Sequence, residues 1–275
     1  MAHIRYSALR IVAAMIFLGT SISPAWASER AKAPASPALA EEGSWPMVGA
    51  NPQRTSWSPV EVRGNLSVEW YRPINARMTH EYEPIAAEDK IFVATSEGLF
   101  AFRASDGAHL WTYGTEMPLG HSPTYANGVV YAGGYDRRIH AVDAATGLLK
   151  SGWTFVEAGA GYETNPLVVN NRVYAGNRDG YFYCLDASTG NLLWKWRDET
   201  DEFPNGPIRF SAAFKDGILY FGSDNSHAYA IRDNGTSAGL VWKSVELPGV
   251  GFNTYWPVVY TNKSTGKDYV LFSGS

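Results

Sequence analysis

The chain has 275 residues, of which 45% are hydrophobic, 14% aromatic and 18% charged, and its formal net charge is −4. This mild negative charge, without a basic patch interleaved with aromatic residues, gives no reason to expect a nucleic-acid partner. With 27 glycines and 15 prolines, the composition is typical of a soluble β-rich protein that is long enough to bury a sizeable core.

The first 27 residues have the pattern of a secretory signal peptide. Arg5 and Arg10 precede the apolar run 11–19, and Ala25-Trp26-Ala27 forms a small-x-small cleavage site. The apolar run is shorter than the roughly 20 residues that a transmembrane helix needs. We therefore expect an exported, soluble protein, periplasmic or extracellular, whose mature chain begins at Ser28 and has no transmembrane anchor.

Residues 28–43 are rich in alanine, proline and charge without periodicity, which predicts a disordered linker. A single folded domain is then expected over residues 44–275. The chain has one cysteine, Cys184, so no intramolecular disulfide can form, and its place in a predicted strand indicates a buried, unreactive thiol.

Tryptophan recurs at an interval of about 40 residues, a period that is typical of β-propellers. The five positions are Trp70, Trp111, Trp153, Trp194 and Trp242. Four of them follow versions of one phrase, at residues 101–107, 141–147 and 184–190 and more loosely at 230–235, with a short insertion before Trp153. The phrase reads Ala-Val-Asp-Ala-Ala-Thr-Gly at 141–147, and its glycines include Gly107, Gly147 and Gly190. We interpret these residues as structural, because a large ring on one blade can pack on the turn of the next blade.

Each repeat is predicted to form a blade of four short antiparallel strands. The first strand follows a proline, at Pro84, Pro123, Pro166 and Pro257, with Ala212 in the matching place of the fourth repeat. Asn-Gly and Asp-Gly turns then favour tight hairpins. Four whole repeats are expected at about 84–115, 123–157, 166–197 and 211–245, with a partial fifth from 257.

The repeat resembles the PQQ-like β-propeller repeat of the quinoprotein family, with its tryptophan-docking phrase best matched at residues 101–111 and 184–194. Trp45-Pro46-Met47 and the residues that follow also resemble the lead-in of these proteins. Because propellers of this family usually close with eight blades, the resemblance implies that this chain is a truncated portion of such a ring. The alternative is a compact ring in which the strand around Trp70 closes the fifth blade.

The resemblance covers two groups of different function. One comprises PQQ-dependent dehydrogenases, whose soluble alcohol-oxidising members use a vicinal cysteine disulfide and a calcium ion, and a chain with one cysteine cannot form that disulfide. The other comprises non-catalytic exported propellers that bind protein or cell-surface partners. This chain has no lipid-accepting cysteine after its signal run, unlike the outer-membrane assembly lipoprotein of that group.

Candidate binding residues lie in the loops that precede the first strands, where the repeats differ in sequence. They are Glu81, Tyr82, His121, Glu163, Asn165, Arg209, Tyr255 and Trp256. Glu81, Glu163 and Arg209 occupy equivalent positions and could converge near the axis on a cation or polar ligand, with the aromatic residues stacking on a flat ring. The alternative, purely structural interpretation is that these side chains hydrogen-bond to neighbouring loops or face solvent. The sequence predicts no catalytic residue and no metal site.

The sequence therefore predicts an all-β propeller of PQQ-like repeats that acts as a non-catalytic binding or assembly scaffold for a protein or cell-envelope partner. The alternative is a PQQ-dependent oxidoreductase of the alcohol or sugar dehydrogenase type, with PQQ and calcium as cofactors. A third interpretation is a degenerate propeller that has lost its site.

Overall fold

A computed structural model of the chain describes residues 44–78, 82–199, 205–248 and 256–273. The predicted signal peptide (1–27) and linker (28–43) lie outside the described residues, as do Glu81 and Tyr255. The described elements are all β-strands, arranged in five antiparallel sheets in chain order. The predicted all-β fold of four-stranded blades is confirmed.

Blades 1, 3 and 4 are complete four-stranded sheets with the strands in sequence order. Blade 1 contains β1 (Ile85–Ala87), β2 (Lys90–Thr95), β3 (Gly98–Arg103) and β4 (His109–Gly114). Blade 3 contains β8 (Leu167–Val169), β9 (Arg172–Gly176), β10 (Phe182–Asp186) and β11 (Leu192–Trp196). Blade 4 contains β12 (Ala213–Lys215), β13 (Ile218–Gly222), β14 (Ala228–Asp233) and β15 (Ala238–Lys243).

Blade 2 departs from the predicted four strands. It contains β5 (Thr124–Ala126), β6 (Val129–Gly133) and β7 (Ile139–Asp143). Its fourth segment makes a single bridge between Leu149 and Val142. The chain then turns through Gly152, whose φ is +73°. The insertion before Trp153 therefore replaces an outer strand with a turn.

The fifth sheet consists of β16 (Val258–Thr261) and β17 (Asp268–Leu271). Within the described residues, the segment around Trp70 forms no strand, and the Trp70 indole instead donates a hydrogen bond to Ala104 O of blade 1. The compact ring closed by this segment is thus not formed in the described part of the chain.

Residue types in the turns and at the strand starts account for the regular blades. Each first strand begins one residue after Pro84, Pro123, Pro166, Ala212 or Pro257. The hairpin that follows uses paired positive φ angles, such as +50° at Asn127 and +79° at Gly128. Paired positive φ angles define the turn whose twist matches the flanking strands.

The tryptophans join successive blades through the repeated turns. Trp111 donates its indole N–H to Ala144 O at 3.2 Å, and Trp194 donates to Asp233 Oδ1 at 3.1 Å. A Cβ added at Gly107 would lie 2.5 Å from Trp70, and one at Gly147 would lie 2.6 Å from Trp111. The Trp153 ring likewise packs against Gly190, where an added Cβ would lie 2.9 Å from it. Its indole N–H, however, donates to Ile139 O within its own blade.

The hydrophobic core lies between the blades. Separate buried clusters join blades 1 and 2, blades 2 and 3, blades 3 and 4, and blade 4 with the fifth sheet. Because a sheet of this size cannot bury both faces alone, the stacking of neighbours supplies the core.

The lead-in segment, residues 45–54, crosses the first strands of four sheets. Trp45 pairs with Ala86 of β1, and Pro46 O accepts the N–H of Tyr125 in β5. Pro52 O and Gln53 O accept the N–H groups of Phe214 and Val259, in β12 and β16. The lead-in therefore satisfies backbone groups on the first strands of blades 1, 2 and 4 and of the fifth sheet.

Candidate functional site

One face of the molecule is built from two sets of loops, which we call the loop face. The loops that precede each first strand pack against the loops between the second and third strands. Gly120 N donates to Gly133 O, Ile208 N donates to Asn177 O, and Asp224 N donates to Pro207 O. Rigid sheets thus hold the sequence-variable loops in fixed positions.

Charged side chains on the loop face form a network across blades 2, 3 and 4. Glu163 accepts hydrogen bonds from Arg209 Nη1 at 2.5 Å and from Tyr135 OH at 2.9 Å. Arg178 Nη1 lies 3.4 Å from the same carboxylate. Arg209 Nε also donates to Asp224 Oδ2 at 2.7 Å. The predicted neighbours Glu163 and Arg209 therefore contact each other directly.

The network raises the pKa values of two of its members, Tyr135 and Arg209. Desolvation, followed by the hydrogen bond to Glu163, raises the pKa of Tyr135 to about 12. The hydrogen bond to Asp224 is the main cause that raises the pKa of Arg209. At neutral pH Tyr135 is a neutral donor and Arg209 a cation, which is the state that the Glu163 carboxylate requires.

His121 lies at the centre of an aromatic group. Its ring stacks on Tyr82 with centroids 5.6 Å apart and meets the edge of Phe210 at 6.1 Å. The residue is 3% exposed. Desolvation, with a smaller contribution from the nearby Arg54 charge, lowers the pKa of His121 to about 4. The imidazole is therefore neutral at physiological pH.

A second set of loop residues links successive blades near the first strands. Ser122 Oγ accepts the N–H of Glu83, and Ser211 Oγ accepts the N–H of Asn165. Asn165 Nδ2 donates to Ser122 O at 2.8 Å, Pro123 O at 3.0 Å and Thr124 Oγ1 at 2.9 Å. Four equivalent repeat positions therefore form a chain of hydrogen bonds between blades 1 and 4.

Arg54 was missed by the sequence reasoning, although it is fully buried beside this chain of hydrogen bonds. Its Nε donates to Ala212 O at 3.0 Å and its Nη1 to Val48 O at 2.5 Å. In the sequence, Arg54 is only a positively charged residue of the lead-in. Because the lead-in is not part of any repeat, no equivalent position in another repeat indicates where this side chain lies. Tyr82 and Trp256 of the predicted set are half-buried on the loop face.

The described residues do not fit a calcium ion with PQQ. Both carboxylate oxygens of Glu163 already accept hydrogen bonds, from Tyr135 and Arg209. Asn165 Oδ1 is a buried acceptor without a hydrogen-bond partner, but one amide oxygen falls far short of the roughly six to eight oxygen ligands that calcium takes. The rings of Tyr82 and His121 stack on each other rather than facing across a slot for a flat ligand. Among the described residues, no group of three or more His, Cys, Asp or Glu side chains could hold a metal ion.

Stacked antiparallel blades, joined by tryptophans that pack on the glycine turns of the following repeats, define a β-propeller of the PQQ-like type. The family model described as outer membrane protein assembly factor BamB matches residues 54–195 and again 99–238. The chain belongs to this PQQ-like β-propeller repeat family, in agreement with the resemblance seen in the repeats.

The curated relatives are quinone-type alcohol dehydrogenase subunits, whereas the similar solved structures include both alcohol dehydrogenases and BamB. The quinone-type alcohol dehydrogenase, dehydrogenase subunit, of Komagataeibacter europaeus is 27% identical over 124 residues, which are 39% of this chain and 17% of that protein. The same subunit of Gluconobacter oxydans is 27% identical over 39% of this chain and 16% of its own length. The matched segment is thus a small part of each relative.

Among solved structures, quinohemoprotein alcohol dehydrogenase ADHIIG of Pseudomonas putida HK5 has a TM-score of 0.68 and 20% identity, over 84% of this chain and 44% of that chain. BamB of Moraxella catarrhalis has a TM-score of 0.53 and 21% identity, over 75% of this chain and 62% of that chain. At these identities the likeness shows the fold. No helix in the described part of the chain has the length and apolar character to cross a membrane.

Proposed function

We propose that this protein is an exported, non-catalytic propeller that binds a protein or cell-envelope partner through its loop face. The observation that supports this most is the state of Glu163, whose carboxylate is engaged by Arg209, Tyr135 and Arg178. A carboxylate already paired with two guanidinium groups is a poor ligand for a cation, whereas arginine and tyrosine at a rigid surface are typical of binding hot spots.

The geometry of the loop face suits recognition of a folded partner. Arg178 is exposed, while Arg209 is held in position by two carboxylates. Phe210 and Trp256 add half-buried aromatic surface on the same face. Side chains held in position lose little conformational entropy on binding, which favours affinity.

Quinone-dependent oxidation is the second candidate, supported by relatives described as quinone-type alcohol dehydrogenases. Calorimetric titration of the purified full chain with PQQ, with and without calcium, separates the two classes. We expect no saturable heat from the folded protein. Saturable, calcium-dependent binding would overturn the scaffold proposal and would make alcohol or sugar oxidation the next assay.

Partner binding is tested by photo-crosslinking from one position on each face. A crosslinking amino acid at Arg178 reports the loop face, and one at exposed Ser188, in an Asp-x-x-Thr-Gly turn, is the matched control. We expect a specific adduct in cell-envelope extracts from position 178 and none from position 188. The same adducts from both positions would contradict the proposed face.

The adduct then identifies a partner whose binding can be measured with purified components. If the loop face is the interface, Arg178→Ala weakens binding by about thirtyfold or more, as expected for a hot-spot arginine. Unchanged affinity in Arg178→Ala together with Arg209→Ala would rule out the charged network as the contact surface.

A further inference from the structure

Successive blades meet through a contact that recurs along the chain. A large side chain on the second strand of one blade packs on a side chain of the first strand of the next. Phe92 in β2 stacks on Tyr125 in β5 with ring centroids 6.2 Å apart, and Tyr174 in β9 stacks on Phe214 in β12 at 6.0 Å. Because different faces of the two blades meet, each sheet has a leading face towards the preceding blade and a trailing face towards the following one.

The trailing face of the fifth sheet is apolar and partly exposed. Leu271 pairs with the first strand of its sheet in the same register as Phe92 and Tyr174 do in theirs. Phe92 and Tyr174 are 0% and 2% exposed, whereas Leu271 is 48% exposed. The aromatic neighbour Tyr260 on the same face is 41% exposed. The side chains of this trailing face are Val258, Tyr260, Tyr269 and Leu271.

The leading face of blade 1 has no neighbouring sheet among the described residues. Phe100 occupies the place that Tyr183 has in blade 3, where Tyr183 belongs to the buried cluster that joins blades 2 and 3. Phe100 itself is only half-buried and belongs to none of the clusters that join the described sheets. Ala86 in β1 holds the place of Tyr125 and Phe214, the two residues on which rings of the preceding blade stack.

The segment around Trp70 marks the place where a further blade fits. The Trp70 ring packs on the glycine turn of blade 1, just as the Trp111 ring packs on the glycine turn of blade 2. Trp111 lies in β4, the outer strand of the preceding blade. By this equivalence, residues 66–72 hold the place of the outer strand of a blade that precedes blade 1. In the described structure this segment pairs with no strand, and Leu66 and Val68 are 81% and 83% exposed.

We infer that the trailing face of the fifth sheet packs on the leading face of blade 1 in a second copy of this chain. In this arrangement Leu271 of one copy packs on Ala86 of the other, which continues the contact between blades. The fifth sheet of the first copy and residues 66–72 of the second then contribute strands to one shared blade. Both faces are apolar, whereas repeat arrays that remain separate carry polar surfaces at their ends.

The contact joins two different surfaces and is therefore heterologous. Each copy uses its trailing face for one neighbour and its leading face for another, so the copies close into a ring or continue as an open chain. The loop face takes no part in this contact, which forms independently of the proposed partner.

Analytical ultracentrifugation of the purified full chain tests the contact. We expect wild type to associate reversibly, with a mean mass that rises with protein concentration up to about 0.1 mM. Leu271→Asp should weaken association by about tenfold or more, because it places a charge against an apolar face. Leu148→Asp is the matched control and should associate as wild type does, since Leu148 is 67% exposed in the outer turn of blade 2. Wild type that stays monomeric, or equal effects of the two substitutions, would overturn the inference.

Crosslinking tests the register of the contact. Cys184 is buried, so a cysteine introduced at position 271 or 86 is the accessible thiol of its variant. Leu271→Cys and Ala86→Cys proteins are mixed and treated with a short bismaleimide, which spans the roughly 10 Å between stacked sheets. We expect a mixed dimer from this pair and none from Leu148→Cys with Ala86→Cys. No crosslink from position 271, or an equal yield from position 148, would show that the two faces do not meet.

Discussion

At the residue scale, burial decides how the polar side chains of this protein behave. Cys184 is fully buried, and desolvation raises the pKa of its thiol to about 12, so it is not a nucleophile at neutral pH. Asp143 shows the opposite case, because hydrogen bonds from the Thr146 side chain and backbone lower its pKa. The carboxylate of this repeated turn is thus a structural acceptor.

His121 makes stability depend on pH in a defined window. Its pKa is about 4 in the folded protein against an ordinary 6.5, so the unfolded chain binds the proton first as the pH falls. The contribution is complete above pH 6.5 and is lost between 6.5 and 4. It amounts to about 3 kcal/mol of unfolding free energy.

Urea unfolding of wild type and His121→Gln across this range measures that contribution. We expect the two stability curves to converge as the pH falls towards 4, because the variant lacks the titrating group. His109→Gln, at an exposed position, serves as the control and should run parallel to wild type. A His121→Gln curve that is also parallel would mean that the imidazole is not buried neutral.

At the element scale, the repeated turn and the tryptophan of the preceding segment form the joint between blades. Gly147 has a φ of +72°, and a Cβ there would lie 2.6 Å from the Trp111 ring. Two separate costs therefore oppose any side chain: the left-handed backbone and the close approach of the indole.

Gly147→Ala and Gly152→Ala separate these costs. Gly152 has nearly the same φ, +73°, but a Cβ there meets nothing within 4 Å. We expect Gly152→Ala to lower the free energy of unfolding by about 1 kcal/mol, the backbone cost alone. Gly147→Ala should cost clearly more, measured by urea unfolding. Equal losses would show that the indole moves away without penalty.

At the scale of the whole molecule, the lead-in segment connects sheets that are distant in sequence. Pro52 O and Gln53 O accept from Phe214 and Val259, and Arg54 ties the same segment to Ala212. These contacts span more than 150 residues of chain, since Arg54 and Ala212 are 158 positions apart. The segment therefore couples blade 4 and the fifth sheet to the start of the domain.

Hydrogen exchange tests this coupling. In wild type the amides of Phe214 and Val259 should be protected as part of the folded core. Arg54→Met should speed their exchange, because it removes the bonds to Ala212 O and Val48 O that hold the lead-in. The amide of Leu185, within the β9–β10 ladder, is the internal control. Equal protection in variant and wild type would mean that the lead-in is held without Arg54.

Part of the site could be anticipated and part could not. The equivalence of Glu163 and Arg209 in the repeat predicted their proximity, because repetition gives each loop the same place in its blade. Their pairing with Asp224 and Tyr135 required the packing of two sets of loops. The burial of Asn165 against Ser122 and Thr124 was equally hidden, since it depends on contacts between neighbouring blades.

The sequence by itself determined the fold class, the blade period, the strand starts and the tryptophan joints. These follow from local turn chemistry and from a repeat that imposes the same packing at each step. Only the tertiary structure decided the loss of the fourth strand in blade 2, the path of the lead-in and the burial of Arg54. Each of these features arises from contacts that occur once in the chain. Neither the repeat period nor local conformational propensity could therefore predict them.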